Sequence, residues 1–96
     1  MIFEWSDDKR RKNLLKHGFD FADVAAVFAR DMLTGADDRF DYAEPRTCGI
    51  GLLEGRVVTV VFVETGETIR IISLRKASER EQEAYFDCLG HRLEAY

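Results

Sequence analysis

Apolar residues near the start of the chain recur at spacings that predict a short strand followed by two helices. Residues 2–5 (Ile-Phe-Glu-Trp) predict the strand, and Ser6 or Asp7 offers an N-cap for a first helix that Gly18 ends. Asp20 can cap a second helix. The predicted apolar face of that second helix follows the spacing i, i+3, i+4 and i+7, on Phe21, Val24, Ala25 and Phe28.

Beyond residue 31 the pattern changes to extended segments. Four strands are predicted, over residues 32–34, 46–53, 57–63 and 68–74. The third is apolar at nearly every position, which is typical of a central strand covered on both faces. Glu54-Gly55 and residues 64–67 supply hairpin turns beside it, and the polar, acidic residues 37–45 predict a mobile loop. Gly49 and Gly51 alternate within a strand, which indicates close packing or a bulge.

A capping-box pattern, Ser78 with Glu81 three residues later, predicts a last helix. Its apolar face at helical spacing consists of Tyr85, Cys88, Leu89, Leu93 and Tyr96. The resulting order, β-α-α-β-β-β-β-α, predicts an α+β fold with an antiparallel sheet. With 96 residues, 46% of them hydrophobic, the chain is expected to form one domain over residues 1–96.

The last predicted strand carries cations within an otherwise apolar, β-branched run from Ile69 to Ala77. Because side chains alternate along a strand, one face is predicted to hold Ile69, Ile71, Ser73 and Arg75, and the other Arg70, Ile72, Leu74 and Lys76. A buried strand seldom carries arginine. The three cations are therefore either solvated or ion-paired, or they form a surface for an anion such as phosphate. The residues alone leave both interpretations open.

Other candidate site residues lie outside that run. Lys16 and His17 end the first helix and can act as an acid/base pair or as phosphate contacts, but a helix C-terminus also attracts cations for local reasons. Arg46 opens a predicted strand and can reach the same surface as Arg70. Ser73 has no neighbouring His or Asp pattern, so we expect a hydrogen-bonded strand hydroxyl rather than a nucleophile.

The net charge is −4, from 14 Lys and Arg against 18 Asp and Glu, which at first argues against nucleic acid as a partner. The charges are unevenly distributed, however. Residues 1–19 have a balance of five against three, residues 20–54 of three against eight, and residues 55–96 of six against seven. An acidic middle can leave cations together on one face and an acidic surface elsewhere for a basic partner.

Cysteine count and motif content argue against several classes of protein. Cys48 and Cys88 are too few for a disulfide framework and lack metal-ligand spacing, so we expect free thiols in a reducing cytoplasm, with no metal or other cofactor. No apolar run approaches the roughly 20 residues of a membrane-spanning helix. The charged start is unlike a signal peptide. The chain is therefore expected to be cytoplasmic, with no membrane partner.

Several short motifs occur together in a specific order. In the first half they are Phe3-Glu4-Trp5, Lys9, Asn13, Lys16-His17-Gly18, and Phe21-Ala22-Asp23-Val24-Ala25 with Val27-Phe28. In the second half they are Glu44-Pro45-Arg46, Gly49 or Gly51, Gly55-Arg56, a valine-rich strand, the run from Ile69 to Ala77, and Glu81 with Tyr85. In this combination, from residue 2 to about 86, the chain resembles the BrnT family of ribonuclease toxins.

The resemblance implies a RelE-like fold and a type II toxin–antitoxin system, in which a partner holds a small ribonuclease inactive. The expected partner is a cognate ribbon-helix-helix antitoxin (BrnA-like), bound to a toxin dimer in a two-plus-two complex. DNA is expected to bind only through the antitoxin, since this chain shows neither a helix-turn-helix nor a basic recognition helix. The resemblance favours the functional interpretation of Arg46, Arg70 and Arg75.

The expected function is therefore RNA cleavage without metal. RNA supplies its own nucleophile, the 2′-OH, so the protein needs only proton transfer and cations that stabilise the charged phosphorane. We assign catalysis to Arg70, Arg75 and His17, and substrate binding to Lys16, Arg46 and Lys76. The alternative is a non-catalytic protein- or RNA-binding module, such as an inactivated toxin, that uses the same basic sheet.

Overall fold

The structure is a computed structural model that describes residues 1–37 and 43–90. Within these ranges five strands form one sheet: β1 (Ile2–Glu4), β2 (Leu33–Ala36), β3 (Thr47–Leu53), β4 (Arg56–Thr65) and β5 (Thr68–Lys76). The helices are α1 (Asp7–His17), α2 (Val24–Phe28) after a 3₁₀ turn at Phe21–Asp23, and α3 (Glu79–Tyr85), which continues into a π turn at Phe86–Gly90. The predicted order of elements and the α+β class are confirmed.

Local capping signals set the bounds of α1. The Ser6 hydroxyl accepts a hydrogen bond from the backbone N–H of Lys9 at 3.4 Å, so Ser6 rather than Asp7 is the N-cap. At the other end Gly18 adopts the left-handed conformation, with φ of 77°, and its N–H donates to the Leu14 carbonyl. The predicted helix and its glycine stop are both confirmed.

The strands are ordered β1-β5-β4-β3-β2 across the sheet. Strands β2 to β5 form the predicted antiparallel meander, but β1 pairs with β5 in parallel, so the sheet is mixed. A parallel pair needs a long connection, and here most of the domain lies between the two strands. Strand β4 is central and buried at every position from Val57 to Val63, which confirms the prediction for that segment.

A β-bulge in β5 overturns the strict alternation predicted for its cations. Opposite consecutive residues Val61 and Phe62 of β4, the partners in β5 are Ser73 and Ile71, so Ile72 is the extra residue. The bulge reverses the alternation beyond it. Arg70, Ser73 and Arg75 consequently share one face of the sheet, whereas Ile69, Ile71, Leu74 and Lys76 belong to the other.

That other face packs against the 3₁₀ turn and α2. The main core consists of Phe19, Phe21, Val24, Val27, Leu53, Val58, Val60, Phe62, Ile69, Ile71 and Leu74, with Phe3, Trp5, Phe28 and Met32 packed against it. The apolar face predicted for the second helix is partly wrong, because Ala25 is exposed and Val27 is buried. The helix opens with a 3₁₀ turn of three residues, which aligns positions 21, 24 and 27.

Glycines in β3 allow α2 and the following segment to approach the sheet closely. A Cβ on Gly51 would lie 2.9 Å from Cγ1 of Val27 and 3.1 Å from Cγ of Met32. A Cβ on Gly49 would lie 3.3 Å from the Met32 sulfur. The close-packing interpretation of the two glycines is therefore confirmed. The alternative, a bulge in β3, is not what the structure contains, because the only register shift in the described sheet lies between β4 and β5.

Helix α3 covers part of the opposite face, where Tyr85 packs with Ile50, Val57 and Ala77. Both hydrogen bonds of the predicted capping box that starts it are present. Cys88 is exposed, contrary to the prediction, because the π turn departs from the helical period on which the prediction rested. The predicted contacts of Leu93 and Tyr96, and most of the predicted loop at 37–45, lie outside the described residues.

Candidate functional site

The side chain of Asn13 joins α1 to the edge of β5. Its amide nitrogen donates to the carbonyl oxygens of Leu74 at 2.8 Å and Phe19 at 3.0 Å, and its amide oxygen accepts from the Leu74 N–H at 3.1 Å. Strand β1 pairs with β5 only as far as Arg70. Asn13 therefore supplies, further along the same strand, the pair of hydrogen bonds that a neighbouring strand would make.

An open groove of about 260 Å³ lies along this junction. Its lining consists of Lys9, Lys12, Asn13, Lys16 and His17 from α1, and Ile72 and Ser73 from the bulge of β5. Two of the predicted site residues, Lys16 and His17, thus meet the strand that carries the predicted arginines. The bulge supplies the other wall of the groove.

His17 is partly buried in this groove, and burial lowers the pKa of its imidazole. The positive charges of Lys16 and Arg75 lower that pKa further. The usual pKa of histidine is about 6.5, so His17 is neutral at pH 7 and can accept a proton. Arg75 is thus near enough to act on the His17 imidazole electrostatically, although its side chain lines a neighbouring cavity of about 390 Å³ together with Glu81 rather than the groove itself.

Arg75 is held by a carboxylate of α3. Its two terminal nitrogens donate to the two oxygens of Glu81 at 2.7 and 3.0 Å, in the bidentate geometry that suits guanidinium. One Glu81 oxygen also accepts the Ser78 N–H at 2.8 Å. The hydrogen bond from Arg75 is the main reason that the pKa of Glu81 falls to about 2, with a smaller contribution from the Ser78 N–H.

Arg70 lies on the same face as Arg75 but at the other end of β5. Their partners on β4 are Val63 and Thr59, four positions apart, so their Cα atoms are separated by about 13 Å along the strand. The Arg70 guanidinium forms a salt bridge with the Glu44 carboxylate. The ion-paired alternative raised by the sequence is therefore what the structure contains at both arginines.

Arg46 and Lys76 are placed at opposite ends of the sheet. Arg46 immediately precedes Thr47, which pairs with Phe62, so Arg46 belongs to the Arg70 end. Lys76 lies opposite Val58, at the far end of β5. Its side chain lines a separate cavity of about 290 Å³ rather than the groove beside α1. The predicted site residues therefore fall into separate places: Lys16 and His17 in the groove with Arg75 nearby, Arg46 at the Arg70 end, and Lys76 beside its own cavity.

Sequence reasoning overlooked three residues that organise this region. Asn13 was noted only as part of a motif, and its partner Leu74 is 61 positions away. Glu81 was interpreted as a helix cap, and Glu44 as part of an acidic loop. The capping box did predict that Glu81 folds back toward Ser78, and that signal placed its carboxylate just beyond the end of β5.

The described ranges contain neither a metal-binding cluster nor a membrane-spanning helix. In residues 1–37 and 43–90, no three His, Cys, Asp or Glu side chains are grouped so that they could hold a metal ion. No helix in the same part of the chain is both long enough and apolar enough to cross a bilayer.

Comparison with known proteins gives one family. The model of the family described as "Ribonuclease toxin, BrnT, of type II toxin-antitoxin system" matches residues 5–81. This stretch includes α1, the whole of β5 and Glu81, and therefore every residue of the groove and of both arginine pairs. A search of curated proteins gave no match.

Proposed function

Because this chain belongs to the BrnT family of ribonuclease toxins of type II toxin–antitoxin systems, we propose that it is an endoribonuclease that cleaves RNA without metal at the groove between α1 and β5. The observation that carries this assignment is the open groove in which His17 and Lys16 lie side by side, with Arg75 near enough to lower the pKa of His17. A proton acceptor and positive charge in one open place are what RNA transesterification requires.

In the proposed reaction His17 takes the proton of an RNA 2′-OH. The 2′-oxygen then attacks the adjacent phosphorus, and negative charge develops on the non-bridging oxygens of the phosphorane. Arg75 stabilises that charge, and Lys16 positions the phosphate. The bond to the 5′-oxygen breaks, this oxygen takes a proton from solvent, and His17 returns to solvent the proton that it accepted, so that the enzyme is restored. The products are a 2′,3′-cyclic phosphate and a 5′-hydroxyl.

Glu81 has a positioning role in this scheme. It holds the Arg75 guanidinium by two hydrogen bonds, and its own carboxylate is anchored to the start of α3. A guanidinium fixed before substrate arrives loses less conformational entropy when it binds the phosphorane. Arg70, about 13 Å along β5 from Arg75, and Arg46, at the same end of the sheet as Arg70, are assigned to binding of another phosphate of the same strand.

The proposed partner is a BrnA-like ribbon-helix-helix antitoxin, bound to a toxin dimer in a two-plus-two complex in the cytoplasm. Membership of a type II toxin–antitoxin family supports a protein antitoxin. DNA binding is assigned to the antitoxin alone. The acidic segment 37–44, which we expect to attract its basic groups, lies mostly outside the described residues, and Asp37 at its start is buried.

Cleavage of RNA by the purified, free protein in EDTA tests the proposed activity. We expect cleavage with and without EDTA, loss of cleavage in His17→Ala, and normal cleavage in Arg11→Ala, whose side chain is exposed on α1 outside the groove. Because His17 must be neutral to act, the wild-type rate should rise with pH through a pKa below 6.5. Activity that EDTA abolishes and Mg²⁺ restores would contradict the metal-free mechanism.

A second candidate function is a binding module that has lost catalysis. Both arginines of β5 already have carboxylate partners, which favours this alternative because each partner competes with phosphate. Expression of the wild type without antitoxin separates the two. Growth arrest that depends on His17 and Arg75 supports the ribonuclease, and unchanged growth supports the binding module.

A further inference from the structure

Lys9, Lys12 and Lys16 form a row along the groove, and the proposed mechanism uses only the last of them. The row follows from the way in which α1 is held. Asn13 is buried and bonded to β5, so it fixes which side of the helix faces the strand. Residues at i−4, i−1 and i+3 from Asn13 share that side, and all three are lysines.

The charge around this row is strongly positive although the whole chain is acidic. Residues 9–17 contain five Lys and Arg and no Asp or Glu. The neighbouring carboxylate of Asp8 forms a salt bridge of 2.9 Å with Lys12, but the two side chains are 64% and 75% exposed. Exposed pairs of this kind are weak and are easily replaced by another anion.

We propose that the lysine row (Lys9, Lys12 and Lys16) is a track for the phosphodiester backbone of single-stranded RNA, leading along α1 to His17 and Arg75. The inference rests on the proposed ribonuclease function and adds Lys9 and Lys12 to its substrate site. From Lys9 to Lys16 the helix rises about 10 Å, so the row is long enough to contact more than one phosphate of a strand. Flexible, hydrated ammonium groups bind phosphates without reading sequence.

The position of the apolar residues of α1 favours RNA over an acidic protein as the occupant. A protein partner would be expected to bury the apolar residues of this helix, as hot spots of protein interfaces usually do. Leu14 and Leu15 are 43% and 88% exposed and do not line the groove. The track instead ends at His17, so that a continuous strand would pass directly into the proposed catalytic centre.

Binding of an RNA that cannot be cleaved tests the track directly. The probe is a short, fluorescent single-stranded RNA with 2′-O-methyl groups, which lacks the nucleophile, titrated by anisotropy with purified free protein at several salt concentrations. The matched variants are Lys9→Gln and Arg11→Gln, since both remove one exposed cation from α1 but only Lys9 lines the groove. Circular dichroism checks that each variant is folded.

We expect Lys9→Gln to weaken binding several-fold and to lower the slope of log affinity against log salt by about 0.7, the value for one phosphate contact on a single strand. Arg11→Gln should change the slope by less than half as much. Asp8→Asn should tighten binding, because it releases Lys12 from its salt bridge.

Equal slopes for Lys9→Gln and Arg11→Gln would overturn the track, as would a wild type that does not bind the probe. Weaker antitoxin binding by Lys9→Gln with unchanged RNA affinity would assign the row to a protein partner instead. If the probe binds as expected but unmodified RNA is never cut, the track stands and the ribonuclease proposal fails. If unmodified RNA is cut but the two slopes are equal, the ribonuclease proposal stands and the track fails.

Discussion

The two arginines of β5 lie on one face of one strand but are held in different ways. Arg75 and its partner Glu81 are 24% and 21% exposed, and Glu81 is itself fixed by the capping box of α3. Arg70 and its partner Glu44 are 41% and 44% exposed, and Glu44 lies outside any helix or strand. A pair fixed at both partners holds a charge in position, whereas an exposed pair is screened by water and exchanges readily.

The two arginines also differ in what covers the neighbouring edge of β5. The edge of β5 near Arg70 is covered by β1, as in any sheet. Near Arg75 the edge is closed instead by Asn13, beside a groove that contains a partly buried histidine. Under the proposed function, the Arg75 end is the one that holds its charge at a fixed place. The Arg70 end is suited to contacts that form and break.

The largest expected effect is on catalysis at the fixed end. Arg75→Ala should lower the rate of RNA cleavage by about 10² to 10³-fold, the range seen when a group that stabilises transition-state charge is removed. Arg75→Lys should recover part of the rate, because it restores charge without the bidentate fork. Single-turnover cleavage of a short RNA measures both.

Arg11→Ala serves as the control for that experiment, since it removes an exposed arginine elsewhere. Equal losses in Arg75→Ala and Arg70→Ala would contradict the comparison, because the two arginines would then be functionally equivalent.

Asn13 carries the next largest effect, on stability. Asn13→Ala leaves the N–H and C=O of the fully buried Leu74 without their partners, together with the Phe19 carbonyl. Each unsatisfied group costs about 1 to 3 kcal/mol, so the three groups together predict a loss of at least about 3 kcal/mol in the free energy of unfolding. Urea denaturation measures it, with Arg11→Ala expected to change the value by less than about 0.5 kcal/mol.

Features that depend on neighbouring residues could be predicted from the sequence, whereas the placement of the two arginines of β5 could not. The Ser78 capping box, the Gly18 stop and the continuous apolar run of β4 depend on neighbouring residues, and they were predicted correctly. The face of Arg75 was predicted wrongly, because one inserted residue, Ile72, reverses the alternation without changing the composition of the strand. Periodicity alone does not reveal such an insertion.

Side-chain partners that are distant in sequence were equally beyond prediction. Asn13 and Leu74 meet only because α1 packs beside β5, and no local pattern marks either of them. The meeting of Lys16 and His17 with Arg75 has the same origin. Resemblance to a known family favoured a functional role for Arg75, but its approach to Lys16 and His17 depends on the packing of α1 on the bulged edge.

Glu81 is expected to affect both stability and activity, more weakly than Asn13. The pKa of its carboxyl group is lowered from 4.5 to about 2. Ionised Glu81 therefore stabilises the folded protein above pH 4.5, and that stabilisation is lost as the pH falls toward 2. After allowance for partial exposure, we expect Glu81→Gln to cost about 1 to 2 kcal/mol at pH 7. The difference from wild type should shrink below pH 4.5 in unfolding measurements made across this range.

Glu81→Gln also tests whether the pair positions Arg75. If it does, the variant should lower kcat with little change in KM, and the loss should be smaller than in Arg75→Ala. A variant that is less stable at pH 7 yet cleaves RNA at the wild-type rate would restrict Glu81 to a structural role.

Substitution of Arg70 is expected to have the smallest effect on catalysis. Its effect on antitoxin binding gives a second difference between the two ends of β5. Because its salt bridge with Glu44 is exposed and exchangeable, Arg70→Ala should reduce cleavage only about tenfold, the effect of losing about 1.4 kcal/mol of phosphate binding. If the antitoxin inhibits by covering this end of the sheet, the same variant should weaken its binding, and mainly its rate of association at low salt. Titration calorimetry measures the antitoxin affinity and stopped-flow mixing measures its association rate, with Arg11→Ala as control.

Reduced cleavage with unchanged antitoxin affinity would mean that the inhibitor binds away from Arg70. Normal cleavage with normal affinity would leave Arg70 with no part in either interaction.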